Sequence, residues 1–219
     1  RVRALEHQGA VPRDSVAAAS CGRTGLLPQG HRDPGGRSGR EGRMEEREGA
    51  GPADWTQNRT TNVGVGGLLL NNGGALNDGS SNAILNVAGG FTVPAGASVS
   101  ISRIRIAVTG ATTVSGTLTF NNAGGTKTFG DVTIASGGTW TSTVAENFTI
   151  NGSVTNNGIF LANTGAYSLA GAAKTLGGTR NLIFNNMNIS GSYTNTDSLQ
   201  VSTNFSGIGT LTQGTNSYF

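Results

Sequence analysis

The sequence predicts an all-β fold: a stacked β-solenoid preceded by a disordered leader. Three observations predict it. Composition breaks abruptly near Trp55. Beyond the break, single Val, Ile, Leu and Phe residues alternate with Thr, Ser and Asn, the period-two pattern of a strand. Clusters of Gly and Asn then punctuate these runs every few residues, where tight corners need positive φ.

The segment 1–54 carries nine Arg and eight Asp or Glu, no Lys, both His (His7, His31), the only Cys (Cys21) and four of the five Pro residues. Low apolar content, dense mixed charge and frequent breakers are the signature of disorder. Two readings of this leader stand. Arg32 to Arg47 forms a disordered basic-acidic arm, or the whole segment is not native protein. Arg without Lys, among Gly, Pro, Ala and Glu, is what G/C-rich DNA yields in an arbitrary frame. Met44 is a candidate start. The lack of an initial Met, and of a terminal motif at Phe219, gives the expectation of a fragment from something longer.

The segment 55–219 is read as the repeat region. Val114, Gly116, Leu118 and Phe120 share one strand face, with Ser115, Thr117 and Thr119 on the other. Ile104, Ile106 and Val108 alternate with Arg103, Arg105 and Ala107. Val99 and Ile101 have the opposite parity, so a bulge or a corner is expected near Ser102-Arg103. Val132 and Ile134, then Leu199 and Val201, repeat the pattern. No window shows helical spacing. Asn-Asn follows an inward residue at Leu70, Phe120 and Phe184, and Asn156-Asn157 precedes Gly158. These amides form a stacked ladder or serve as turn residues; both readings stand.

A longer similarity relates Lys127-Thr128-Phe129-Gly130 to Lys174-Thr175-Leu176-Gly177, and Phe148 to Gly152 with Leu199 to Thr203. It gives a degenerate period of about 47–55 residues, read as two coils per unit and typical of solenoids. A lone coil of this kind is unstable, and neighbours must bury its inner face.

Phe91-Thr92-Val93-Pro94-Ala95-Gly96-Ala97-Ser98-Val99-Ser100-Ile101 resembles the FTVPAGATLTI phrase of secreted bacterial β-helical surface proteins. Gly116 to Asn163 is similar to their GTLTFNN and GSVTNNGTF repeats. The resemblance covers Val63 to Phe219 and none of the leader. It implies a right-handed parallel β-helix of adhesin-like or passenger type, secreted to the cell surface, with binding or scaffolding roles. Extracellular glycans or host surface ligands are the implied partners. It supplies no catalytic residue.

The charge balance beyond Trp55 is six basic (Arg59, Arg103, Arg105, Lys127, Lys174, Arg180) to four acidic (Asp78, Asp131, Glu146, Asp197). Nothing there clusters cations as a nucleic-acid groove requires. Leu68-Leu69-Leu70 is far too short to span a bilayer. Val16 to Ser20 before Cys21 lacks the apolar length of a lipoprotein signal. One Cys forbids an internal disulfide, and a repeat without His or Cys excludes zinc there.

Some β-helices cleave polysaccharides, using paired carboxylates or acid clusters with a basic residue. Here the acids are isolated in sequence. Stacking brings Asp131 towards Glu146, with Lys127 nearby, or leaves all three as solvated surface charge. No catalytic, cofactor or metal residue is expected. Thr117/Thr119, Thr126/Thr128 and Thr139/Thr141/Thr143 form T-x-T runs of the kind ice-binding solenoids array on a flat face. Outward strand threonine is the preferred reading, because the runs do not persist. Asn147, Asn151, Asn188 and Asn204 match the glycosylation pattern, which arises by chance in such composition. Trp140 and Tyr167 stack on sugar rings if exposed, or fill corners.

The expected function is a non-catalytic structural or adhesive stalk at the cell exterior. The alternatives are a carbohydrate-active β-helix whose catalytic coils lie outside this fragment, and an ice-binding module. The open strand edge near Phe219 is expected to promote concentration-dependent association.

Overall fold

The structure is a computed structural model that describes residues 53–54, 60–71, 73–77, 83–215 and 217–219. The expectations for the rest of the leader, and for Asp78, lie outside the described residues. What is described is all-β, with parallel strands stacked as a right-handed-type β-solenoid of about seven turns.

The solenoid has three faces. The first stacks Leu68–Leu69, Phe91–Val93, Thr112–Val114, Val132–Ile134, Val154–Asn156, Lys174–Gly178, Ser192–Asn195 and Thr210–Gln213. The second stacks Ala53–Asp54, Ala75–Asn77, Ser98–Ile101, Thr117–Phe120, Thr139–Ser142 and Ile159–Leu161. The third stacks Thr60–Val63, Ile84–Val87, Arg105–Val108, Lys127–Phe129, Asn147–Ile150, Ala166–Leu169, Leu182–Ile189 and Leu199–Ser206. The chain visits first, second and third face in turn, then rises to the next coil. At about 4.8 Å per coil the stack is roughly 34 Å tall.

Register fixes the repeat. On the first face Phe91, Thr112, Val132, Val154, Leu176, Asn195 and Gln213 pair in direct register at successive levels, at intervals of 21, 20, 22, 22, 19 and 18 residues. The repeating unit is therefore one coil, not the longer unit the sequence suggested. Lys127 lies on the third face and Lys174 on the first, so the two K-T-x-G phrases are not equivalent positions. Gly130 follows the strand Lys127–Phe129, whereas Gly177 lies within the strand Lys174–Gly178.

Alternation decides which side chains enter the core, because a strand presents successive residues to opposite faces. Val63, Val87, Val108, Phe129, Ile150, Leu169 and Ile189 form one inner column of the third face. Val114, Leu118, Phe120, Val132, Ile134 and Leu199 are buried, as their spacing predicts. Of the bulge or corner expected near Ser102-Arg103, the structure has a corner, which separates Ser98–Ile101 from Arg105–Val108.

Close coil contact explains the glycines where the first face turns into the second. A Cβ on Gly138 would lie 2.1 Å from the Val114 carbonyl oxygen, and one on Gly158 would lie 2.3 Å from that of Gly138. The turns before this corner place Gly96 and Gly137 at φ +76° and +84°, where L side chains are disfavoured.

The Asn-Asn pairs do not form one ladder. Asn71 follows a first-face strand, Asn121 follows a second-face strand, and Asn185 lies within a third-face strand. Amide stacking occurs elsewhere: Asn86 Nδ2 donates to Asn62 Oδ1 at 2.9 Å, one coil below.

The cross-section changes along the stack. The second face ends at Ile159–Leu161 among the described residues. In the next coil one strand, Leu182–Ile189, runs along the second and third sides: Phe184 packs on Phe160 of the second face at 5.0 Å, and the strand then bends through a register shift between Phe184 and Asn186.

Candidate functional site

The charged residues singled out in the sequence separate into two environments. Lys127 occupies an inner column of the third face, between Ile106 on one coil and Phe148 on the next. Its Nζ donates to Gly124 O at 2.7 Å, to Gly125 O at 3.2 Å and to Glu146 Oε1 at 3.3 Å. The Lys127 and Glu146 side chains are 0% and 1% exposed, so this is a core ion pair and not surface charge.

Local sequence builds the pocket. The corner between Thr117–Phe120 and Lys127–Phe129 contains Asn122, whose Oδ1 accepts from Gly124 N at 3.0 Å. That turn aims the Gly124 and Gly125 carbonyls inward; Gly125 sits at φ +83°. Glu146 immediately precedes Asn147–Ile150, and its backbone oxygen accepts from Ala166 N at 2.9 Å. Its Oε2 is buried without a hydrogen-bond partner, as is Thr112 Oγ1 on the first face. Burial pushes the Lys127 pKa down, opposed by the neighbouring carboxylate. Burial likewise pushes the Glu146 pKa up, opposed by Lys127 and by the backbone N–H of Asn147. In both groups desolvation outweighs attraction, so burial shifts each towards its neutral form.

Asp131 is elsewhere. It is exposed at the corner leading from the third face to the first, 3.8 Å from Lys174 Nζ, and its Oδ1 accepts from Ser153 N at 2.7 Å. Stacking therefore does not unite Asp131 with Glu146: one faces solvent and the other the core. Asp197 is half-buried near the last coil. Among the described residues no group of three or more His, Cys, Asp or Glu is placed to hold a metal ion.

Trp140 and Tyr167 are both 0% exposed and cannot stack on an external sugar. Trp140 Nε1 donates to Tyr167 Oη at 3.2 Å. The indole lies 4.7 Å from Phe120 and 5.1 Å from Phe129, and Tyr167 stacks on Phe148 at 4.5 Å. This aromatic column adjoins the Lys127 pocket. A second phenol, Tyr193, carries no signal in the sequence that marks it out. Its Oη accepts from Gly171 N at 2.9 Å and donates to Ile150 O at 2.9 Å, with Gly152 O at 3.2 Å.

The outer surface of the second face is uncharged along its central strands. Ser98, Thr117 and Thr139 occupy one register column, and Ser100, Thr119 and Thr141 the next. The columns end at Ile159 and Leu161, each 51% exposed. Thr128 lies on the third face and Thr143 in a corner, so only part of the T-x-T pattern joins this grid. A separate column of Thr92, Thr113, Thr133 and Thr155 runs up the first face. Asn147, Asn151 and Asn204 are exposed, whereas Asn188 is half-buried and donates to Ser206 Oγ at 3.2 Å. No helix among the described residues is long and apolar enough to cross a membrane.

No protein-family profile, curated protein or solved structure matches the chain.

Proposed function

We propose that the solenoid is a non-catalytic structural or adhesive stalk, secreted to the bacterial cell surface, that presents the second face to extracellular glycans or host surface ligands. One observation carries this reading. The in-register columns Ser98–Thr117–Thr139 and Ser100–Thr119–Thr141 make a rigid, uncharged surface of hydroxyl and methyl groups. Such groups hydrogen-bond neutral polar ligands without the desolvation cost of a buried charge. The separation of Asp131 from Glu146 supports the non-catalytic part, since glycoside cleavage needs two carboxylates flanking one bond.

The test is a panel of immobilised glycans with the purified chain, read for binding and for product. Retention that Thr119→Lys abolishes is the expected result. Release of reducing or unsaturated ends would overturn the non-catalytic reading in favour of a carbohydrate-active β-helix. The same grid favours a second reading, an ice-binding module, because its positions repeat on a lattice of about 4.8 Å by 6.7 Å. Thermal hysteresis lost in Thr119→Lys would select that reading over adhesion.

A further inference from the structure

We propose that Lys127 and Glu146 condense into an intramolecular amide, a covalent tie between consecutive coils. An ammonium has three N–H groups, and Lys127 Nζ has three oxygen neighbours: Gly124 O, Gly125 O and Glu146 Oε1. The neutral amine has two N–H groups and one lone pair. The backbone carbonyls of Gly124 and Gly125, at 2.7 and 3.2 Å, take the two N–H groups. The lone pair is then left facing the carboxyl group of Glu146.

The pocket prepares both partners. Desolvation lowers the pKa of Lys127 and raises that of Glu146, so transfer of the proton from ammonium to carboxylate yields the two neutral species that react. Glu146 Oε2 is buried and hydrogen-bonded to nothing, which leaves it available as the departing oxygen. Nζ lies 3.3 Å from Oε1, against the carboxyl group that carries the carbon to be attacked.

The step balances without a co-reactant. Nζ attacks Cδ of the protonated carboxyl, forming the C–N bond. One Nζ proton passes to the departing hydroxyl, the Cδ–O bond breaks, and one water leaves. The remaining N–H stays on the Gly124 carbonyl. The two residues flank one corner level of adjacent coils, since Lys127 pairs in register with Phe148, two positions beyond Glu146. The aromatic column beside them excludes the water that would reverse the reaction. The bond forms once per chain, so no turnover rate is required. The amide lies wholly in the core and is independent of what the outer face binds.

The experiment is mass spectrometry of the full chain under denaturing conditions, followed by tryptic mapping. The expected intact mass is lower than the sequence mass by one water. Trypsin is expected to spare the acylated Lys127 and to release Ile106 to Lys174 as one peptide lighter by the same amount, with fragment ions joining residues 127 and 146. Lys127→Arg is expected to restore the sequence mass. An intact chain at the sequence mass, cleaved normally after Lys127, would overturn the proposal and leave an ion pair. So would a water loss whose fragment ions fall elsewhere, or one that persists in Lys127→Arg. The mapping of the unsubstituted chain decides the matter even if the variant does not fold.

Discussion

Replacing Tyr193 by Phe removes one oxygen and leaves the ring that fills the core, so no cavity enters the cost. That oxygen links three levels of the stack. It accepts from Gly171 N at 2.9 Å and donates towards Ile150 O at 2.9 Å and Gly152 O at 3.2 Å, in a side chain 2% exposed. Ile150 O retains a second donor, Ala170 N, at 2.9 Å. The loss therefore falls mainly on Gly171 N, in a buried residue, which is left without its acceptor. A stranded buried donor costs about 1–3 kcal/mol. We take about 2 kcal/mol, which for a domain of this size lowers Tm by roughly 4–8 °C. Urea unfolding is the assay, with an unchanged slope and a lower midpoint expected. Amide hydrogen exchange at Gly171 gives the local readout and should lose protection. A change within about 0.5 kcal/mol, the usual range for a neutral surface substitution, with Gly171 still protected, would refute the reasoning.

Gly138→Ala places a methyl 2.1 Å from a backbone oxygen that cannot rotate away, and a loss of about 1–3 kcal/mol is expected in urea unfolding, while Ser136→Ala in the adjacent exposed turn leaves the midpoint unchanged. Trp140→Ala deletes the centre of the aromatic column and strands the Tyr167 hydroxyl; a cost of about 3–5 kcal/mol is expected by the same assay. Burial raises the pKa of both Tyr167 and Tyr193. The folded state thus holds their protons more tightly than the unfolded one. That stability is fully present below the ordinary tyrosine value of 10.0 and is lost as pH rises towards the folded values. Phenolate absorbance should show these two rings ionising only together with alkaline loss of the β circular-dichroism signal.

Much of the fold was legible because parity alone decides which strand residues are inward. Val114, Leu118, Phe120 and Ile134 needed no other information. The same rule puts Lys127 on the side of Phe129, two residues on, yet its charge argued for solvent. Only the corner carbonyls of Gly124 and Gly125, with Glu146 from the next coil, make that position tolerable. Their meeting depends on a coil length that the sequence did not reveal. The interval shrinks from 22 to 18 residues along the stack, so no fixed spacing aligns Lys127 with Glu146 or Tyr193 with Ile150. The Ser/Thr grid was half legible for the same reason. Thr117 and Thr139 were seen as separate runs, but their shared column required the register.

The merging of the second and third sides in Leu182–Ile189 and Leu199–Ser206 has a mechanical consequence. Where two strands join through a loop, the corner can open or close as that loop moves. Where one strand turns the corner, its ladder hydrogen bonds hold the angle at the register shift between Phe184 and Asn186. Lateral load on that edge is therefore borne by paired backbone in the last coils and by loops in the coils that carry the Ser/Thr grid.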